Sequence, residues 1–353
     1  MDLNHYQAFD QLDRQNMLGH IDGLPDQLKA AWEMGKSKPL PAWQGIQQII
    51  IAGMGGSAIS GDLLQAYVAH HCKIPMVVQR DYDLPVWARG EETLAIISSH
   101  SGNTEETLSA FEQAIANRCR TVAVTTGGML AEKAAKLNTP CWQYAYPSQP
   151  RAAVGYSFSL MLAILWRLNL FADPSREFLG AIEQMKNSQK YLKADIPVTQ
   201  NPAKRMAGQL IDRWVVIIAS GILAPVARRM KAQINEISKA WAQYDQIPEA
   251  NHNTLAGIEN PGGLLSRMIV LFLRVPAEKS PNQKRLNLTK TAFMLQGLGT
   301  DFIDAPGNTP LANLWCSLHF GDYLAYYLAM SYDVDPTPVE IIEDFKREIA
   351  ANG

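Results

Sequence analysis

The residues from 99 to 107 have the types and the spacing of an anion-binding turn. The apolar run 94–98 leads into them as a buried strand would, and the helix-like run 104–116 leads out. Such a turn directs free backbone N–H groups and the positive end of the helix dipole at one point, which suits a phosphate. The alternative is that Ser101 or Asn103 merely caps the helix, and this motif alone leaves both interpretations open. The residues that could add hydroxyl donors at that point are Ser99, Ser101 and Thr104.

A second turn of the same kind occurs earlier in the chain. The apolar run 48–52 is followed by G-M-G-G-S-A-I-S-G at 53–61, and Ser57 stands where a helix would start. A glycine-rich loop alone is weak evidence of a ligand site. Two hydroxyl-bearing turns one strand apart are stronger, because such turns meet at the carboxyl edge of an open parallel sheet, where ligands bind. The pair favours phosphate binding over capping.

Two polar positions in the second half could carry acid–base chemistry. Glu236 follows Asn235 in a predicted helix, and His252 lies in a polar loop, P-E-A-N-H-N at 248–253. Taken alone, each has a simpler interpretation. A glutamate at such a position is more often a solvated helix residue, and a lone loop histidine is more often structural or solvent-facing.

Two series of alternating strands and helices frame these residues, after a helical segment at the N-terminus. Such alternation indicates parallel sheets with right-handed crossovers. In the first series the predicted strands are 48–52, 75–79, 94–98, 121–125 and 141–145, and the helices lie near 57–70, 104–117, 130–137, 153–170 and 176–193. In the second series the strands are 214–219 and 268–273, with helices from about Ala224 to Gln243, from about Gln283, and at 311–330 and 337–350.

The second half therefore repeats the plan of the first at low sequence similarity, without the S-x-S-G-N-T loop. We predict an α/β protein with two doubly wound parallel-sheet domains flanked by helices, and one phosphate site in the first. The predicted divisions are a helical segment at 1–45, a first domain at 46–195 and a second domain at 196–353.

Composition narrows the possible functions. The 353 residues are 47% hydrophobic and 19% charged, as in a soluble globular protein. The net charge of −2 provides no basic field for nucleic acid, and no apolar run is long enough to cross a bilayer. The four cysteines are scattered without C-x-x-C spacing, which favours free thiols in a reducing cytoplasm. We expect neither a metal nor a cofactor, since the sequence shows no ligand cluster.

Both turns together resemble the paired loops with which the sugar isomerase (SIS) domain holds a sugar phosphate. Further motifs, in order along nearly the whole chain, narrow the resemblance to the bifunctional phosphoglucose/phosphomannose isomerase family. The chain departs from the family pattern at Thr254, where a glutamate is expected. The motifs are G-M-G-G-S-A at 53–58, S-x-S-G-N-T-E-E-T at 99–107, P-R-A-A-x-G-Y at 150–156, N-E at 235–236, P-E-x-N-H-N at 248–253 and D-P-T-P-V at 335–339.

The resemblance implies which residues hold the substrate and which react. His100, in the middle of S-x-S, is expected to point away from the phosphate. Glu236 is implied as the base that moves a proton between C1 and C2 of the sugar, and Arg151 as the cation that steadies the enediol oxygens. The implied phosphate contacts are Gly56, Ser57, Ser99, Ser101 and Thr104.

Two further residues are implied for ring opening. His252 would assist it from the neighbouring subunit of a homodimer, so that the active site is shared. Lys346, on the last helix, would transfer a proton near the ring oxygen. An insertion near 277–300 leaves Lys284 and Lys290 as competitors for that role.

The implied activity interconverts glucose 6-phosphate and mannose 6-phosphate with fructose 6-phosphate through a cis-enediol, in the cytoplasm. Two alternatives remain: an isomerase of another sugar phosphate, such as a heptose or an amino sugar, and a sugar-phosphate-binding regulator without turnover. A regulator would need an output module, and the sequence has no helix-turn-helix signal or basic patch. It would not need Arg151, Glu236 or His252.

Overall fold

The structure, a computed structural model, describes residues 1–352 and contains two parallel sheets, one in each half of the chain. In the first half the strands are β1 (Gln48–Ala52), β2 (Met76–Gln79), β3 (Thr93–Ser99), β4 (Arg120–Thr125) and β5 (Cys141–Gln143). In the second half they are β6 (Trp214–Ala219), β7 (Ala242–Gln246), β8 (Met268–Arg274) and β9 (Gly299–Asp304). The strand orders are β2-β1-β3-β4-β5 and β7-β6-β8-β9.

Helices connect the strands and cover the sheets. The early helices are α1 (Met17–Asp22), α2 (Leu24–Ser37), α3 (Gly55–Val68), α4 (Glu105–Ala116), α5 (Gly128–Lys136), α6 (Val154–Arg167) and α7 (Ser175–Gln189). The later ones are α8 (Pro202–Leu210), α9 (Ala224–Ile237), α10 (Gly262–Leu265), α11 (Pro281–Leu295), α12 (Pro310–Ser331) and α13 (Glu340–Asn352).

Both faces of each sheet are buried, which explains the continuous apolar runs of the central strands. In β1, Ile49 and Ile51 belong to the large central core, whereas Ile50 faces a separate core on the other side of the sheet. In β6, Ile217 belongs to the central core and Ile218 faces a third core. The prediction of two doubly wound α/β sheets is therefore confirmed.

The central core joins the two halves of the chain. It contains Trp32 of α2 and Met161 of α6 together with Met230 of α9 and Trp315 of α12, all nearly inaccessible to solvent. Because one continuous core spans both sheets, residues far apart in sequence can meet at fixed distances. The division of the chain at 45 and 195 stays a prediction.

One predicted element is wrong. The helix predicted to run to Gln243 ends at Ile237, Lys239 takes a left-handed conformation with φ 53°, and residues 242–246 form β7, parallel to β6. β7 is an edge strand, A-Q-Y-D-Q, in which the first residue is buried and the others are partly or fully exposed. An edge strand tolerates such polar residues, so it lacks the continuous apolar run by which a central strand is recognised.

The register of the first sheet brings the two candidate turns together. Ala52, the last residue of β1, pairs with Ile97 of β3, and the chains continue in the same direction into the two turns. Both turns therefore lie side by side at the carboxyl edge of the sheet. Within residues 1–352, no helix is long and apolar enough to cross a membrane.

Candidate functional site

The turn after β3 is built from hydroxyls that contact one another. Ser99 Oγ accepts the backbone N–H of Gly102 at 3.1 Å and donates to Thr104 Oγ1 at 3.2 Å. Gly102 has φ 70°, and a Cβ at this position would lie 1.9 Å from the carbonyl oxygen of Gly127. Only glycine fits there, because a side chain would meet fixed backbone. The turn is thereby held close to the loop that follows β4.

Neither residue that could have capped α4 does so. Ser101 Oγ accepts the N–H of Asn103 at 3.2 Å, and Asn103 Oδ1 accepts the N–H of Met129 at 2.9 Å. Thr104 occupies the N-cap position, and no side chain in the described chain caps this helix. The capping interpretation is wrong, and the first-turn N–H groups of α4 are left to bind an anion or water.

The turn after β1 brings the start of α3 against the chain at Arg151. α3 begins at Gly55, two residues before the predicted start, and Ser57 is a buried residue of its first turn. A Cβ on Gly56 would lie 2.5 Å from the carbonyl oxygen of Pro150 and 3.1 Å from the backbone nitrogen of Arg151. The glycine therefore permits a close approach between this helix start and the turn Pro150–Ala153.

His100 faces the interior, away from the hydroxyl cluster. Its ring is buried, with Nδ1 3.1 Å from the Tyr144 hydroxyl and Nε2 2.9 Å from the carbonyl oxygen of Ser148. Burial lowers the pKa of His100 below its ordinary value. A neutral ring at this position ties the turn to the segment after β5.

Arg151 and Glu236 meet in a cavity of about 260 Å³ between α3 and α9. The Nη1 atom of Arg151 lies 3.5 Å from Oε2 of Glu236, with the arginine side chain 7% exposed and the glutamate 31% exposed. This distance is that of an ion pair without a short hydrogen bond, so the facing atoms remain able to bind other groups. Gly56 lines the same cavity, which connects the pair to the start of α3.

The rest of the Arg151 side chain is anchored. Its Nη2 atom donates to the backbone carbonyls of Pro336, at 3.2 Å, and Thr337. Burial lowers the pKa of the guanidinium from its ordinary value, while Glu236 opposes that change. The group stays charged at neutral pH because an arginine starts from so high a pKa. A fixed, permanently charged fork beside a carboxylate can stabilise negative charge on a bound molecule.

Positive side chains dominate the wall of this cavity. Asp62 Oδ2 accepts from Arg80 at 2.5 Å and from Arg228 at 3.1 Å, so one carboxylate joins two cations. Glu236 is the carboxylate that lines the cavity in the described chain. A surplus of cations attracts anionic ligands into a cleft. The cationic residues of the wall are Arg80, Arg151, Arg228, Arg229 and Lys231.

His252 and Lys346 lie elsewhere in this subunit. His252 ends the short turn Glu249–His252 after β7 and is exposed, and Lys346 is exposed on α13. Neither lines the described cavity that contains Glu236. The competing lysines, Lys284 and Lys290, lie on α11, where the Nζ atom of Lys290 is 4.9 Å above the ring of Phe302.

Sequence reasoning missed several residues around the pair. Arg229 and Gln233 precede Glu236 by seven and three residues, a spacing that puts all three on one helical face, and this signal could have been used. Lys239 had no such signal. Its Nζ atom donates to the carbonyls of Glu236 at 2.8 Å and Asp335 at 2.7 Å, and burial together with repulsion from Arg151 lowers its pKa to about 8.

The fold and the paired turns define a class of structure, the SIS-type α/β fold. A solved structure described as a glucose-6-phosphate isomerase like protein from Thermus thermophilus has the same fold, with a TM-score of 0.65 and 20% identity. It aligns over 96% of this chain and 98% of that one. The family model described as the bacterial phospho-glucose isomerase C-terminal SIS domain matches residues 199–349.

Sequence similarity identifies the particular family. A bifunctional phosphoglucose/phosphomannose isomerase of Caldicellulosiruptor bescii is 36% identical over 336 residues, which cover 95% of this chain and 99% of the relative. One from Aquifex aeolicus is 30% identical over 330 residues, 93% of this chain and 97% of the relative. The chain belongs to the bifunctional phosphoglucose/phosphomannose isomerase family.

Proposed function

We propose that this protein interconverts glucose 6-phosphate and mannose 6-phosphate with fructose 6-phosphate through a cis-enediol. The observation that carries the proposal is the pairing of buried Arg151 with Glu236 in a cationic cavity that also contains Gly56. The curated relatives named above support the same substrates.

The phosphate binds at the two turns of the first sheet. Ser101 and Thr104 donate hydroxyl hydrogen bonds, and Ser99 turns its hydroxyl proton from Thr104 Oγ1 to the phosphate. The uncapped start of α4 adds backbone N–H groups. Ser57 and Gly56 contact the phosphate from the start of α3. Contacts at this remote end of the sugar fix the reacting carbons relative to the cavity and lower the entropic cost of reaction.

Glu236 removes the proton from C2 of either aldose and returns it to C1 of the ketose. Arg151 stabilises the charge that develops on O1 and O2, with Nη1 as the donor nearest the carboxylate. The two aldoses differ only in configuration at C2 and give the same type of enediol. Rotation about the C2–C3 bond of the open sugar presents either face to one base.

Ring opening requires a donor and an acceptor near O5 and O1. His252 fills one role across the interface of a homodimer, which agrees with its exposure and with its absence from the described lining of the cavity in its own subunit. Lys346 fills the other from α13. We place the enzyme in the cytoplasm, because its scattered cysteines suit a reducing compartment.

The test is to incubate the purified protein separately with each aldose phosphate and to follow fructose 6-phosphate. We expect product from both. Binding of both sugars without turnover would contradict the proposal in favour of a regulator. Turnover of a heptose phosphate or an amino-sugar phosphate alone would contradict it in favour of a related isomerase.

A further inference from the structure

The backbone of Arg151 is held by a second arginine from α9. The Nη2 atom of Arg229 donates to the carbonyl oxygen of Arg151 at 3.0 Å. The same guanidinium forms a fork with Asp322 of α12, in which Nε lies 3.1 Å from Oδ1 and Nη2 lies 2.7 Å from Oδ2. Gln233 donates to Oδ1 of Asp322 at 2.9 Å and completes the network.

This ion pair is almost fully buried, with Arg229 3% exposed and Asp322 5% exposed. Buried ion pairs add little net stability on average, because desolvation offsets much of the attraction between the charges. Apolar residues of similar size would serve a core equally well. The distinctive feature here is the third hydrogen bond of Arg229, which connects its ion pair with Asp322 to the backbone of Arg151, the residue that faces Glu236.

We infer that Arg229 is a positioning residue that sets the distance between Arg151 and Glu236, an inference that rests on the proposed function. Arg229 fixes the Arg151 backbone, and the carbonyls of residues 336 and 337 fix the far end of its side chain. Glu236 lies two turns after Arg229 on the same helix. One helix therefore carries both the base and the group that holds the opposing cation in place.

Arg229→Lys separates positioning from charge. A lysine keeps the positive charge beside Asp322, but one ammonium cannot reproduce the planar fork and also reach the Arg151 carbonyl in the same geometry. We expect kcat to fall about tenfold or more for both aldose phosphates, because small displacements of reacting groups are costly in rate. KM should change by less than about threefold, since the phosphate contacts lie on other elements.

A double-mutant cycle with Arg151→Lys provides the readout that a merely structural role would not produce. If Arg229 acts through Arg151, then Arg229→Lys changes kcat by less than about twofold once Arg151 has been replaced. An equal loss in both backgrounds would overturn the inference. The same cycle can also be measured without turnover, as the affinity of each variant for a phosphorylated aldonic acid in calorimetry. The carboxylate of this ligand resembles the enediolate.

That second readout distinguishes the two possible failures. Absence of turnover by the wild type contradicts the proposed function, while additive losses of affinity in the binding cycle contradict the role of Arg229. The matched control is Lys204→Met, which removes another buried cation, one that donates to the carbonyls of Leu3, Ala194 and Ile196. It should lower the melting temperature and leave kcat unchanged. A loss of kcat equal to that of Arg229→Lys would show general destabilisation and overturn the inference.

Discussion

Replacing Thr104 by valine should weaken substrate binding more than it slows the reaction of bound substrate. The hydroxyl sits at the N-cap of α4, 3.2 Å from Ser99 Oγ, at the proposed phosphate site. Valine keeps the shape and removes one hydrogen bond to a charged group, which is worth about 1.5–3 kcal/mol. We expect kcat/KM to fall about 10- to 150-fold, with the larger part of the change in KM.

Thr107→Val is the matched control for this prediction. Thr107 lies three residues further along, is buried, and has a hydroxyl without a partner in the described chain. The same chemical change there should leave both constants unchanged. Steady-state kinetics with glucose 6-phosphate compare the two variants. A KM for Thr104→Val that matches the control within about twofold would refute the phosphate assignment.

Three further predictions concern the interface, the first turn and the response to acid. Mixing inactive Glu236→Gln and His252→Ala chains under subunit exchange should restore about a quarter of the wild-type activity. Half of the dimers are then heterodimers, and each heterodimer contains one intact site of two. Confirmed heterodimers without activity would contradict a shared site. Gly56→Ala should lower the free energy of unfolding by about 1–3 kcal/mol and reduce activity, because the new Cβ would lie 2.5 Å from the Pro150 carbonyl oxygen. An unchanged free energy of unfolding and unchanged kinetics would contradict this. As the pH falls below 6.5, His100 takes up a proton in the unfolded chain but resists protonation in the folded one, so the free energy of unfolding should decrease. His100→Gln should make the free energy of unfolding, measured with urea, less dependent on pH in this range. An equal dependence on pH in the variant and the wild type would contradict this.

The first sheet and its turns were predictable because the sequence signals are local. Strands that are buried on both faces of the sheet require apolar runs such as 48–52. The turns after them are recognisable by their hydroxyl residues and glycines. The exclusion of helix capping by Ser101 or Asn103 needed coordinates. It depends on the partners of Ser101 and Asn103, and the Asn103 side chain bonds to Met129, 26 residues away.

Other features depend on contacts between distant parts of the chain. β7 escaped prediction because an edge strand tolerates polar residues, and its pairing with β6 gives no local pattern. The network of Arg229 and Asp322 joins residues 93 positions apart. Residue types alone do not indicate which charges pair when helices from the two halves pack into one core.

The most direct test of the account is to measure isomerisation of both aldose phosphates by Glu236→Gln. We expect both rates to fall at least about a hundredfold, because one carboxylate serves both epimers as general base. Thermal unfolding should stay close to that of the wild type, since the change is nearly isosteric and Arg151 keeps its backbone partners. Glu249→Gln, on the exposed turn that carries His252, is the control and should keep both activities. Retention of either activity by Glu236→Gln would contradict the assignment of Glu236 as the shared base, and loss of activity in Glu249→Gln would then point to a different carboxylate.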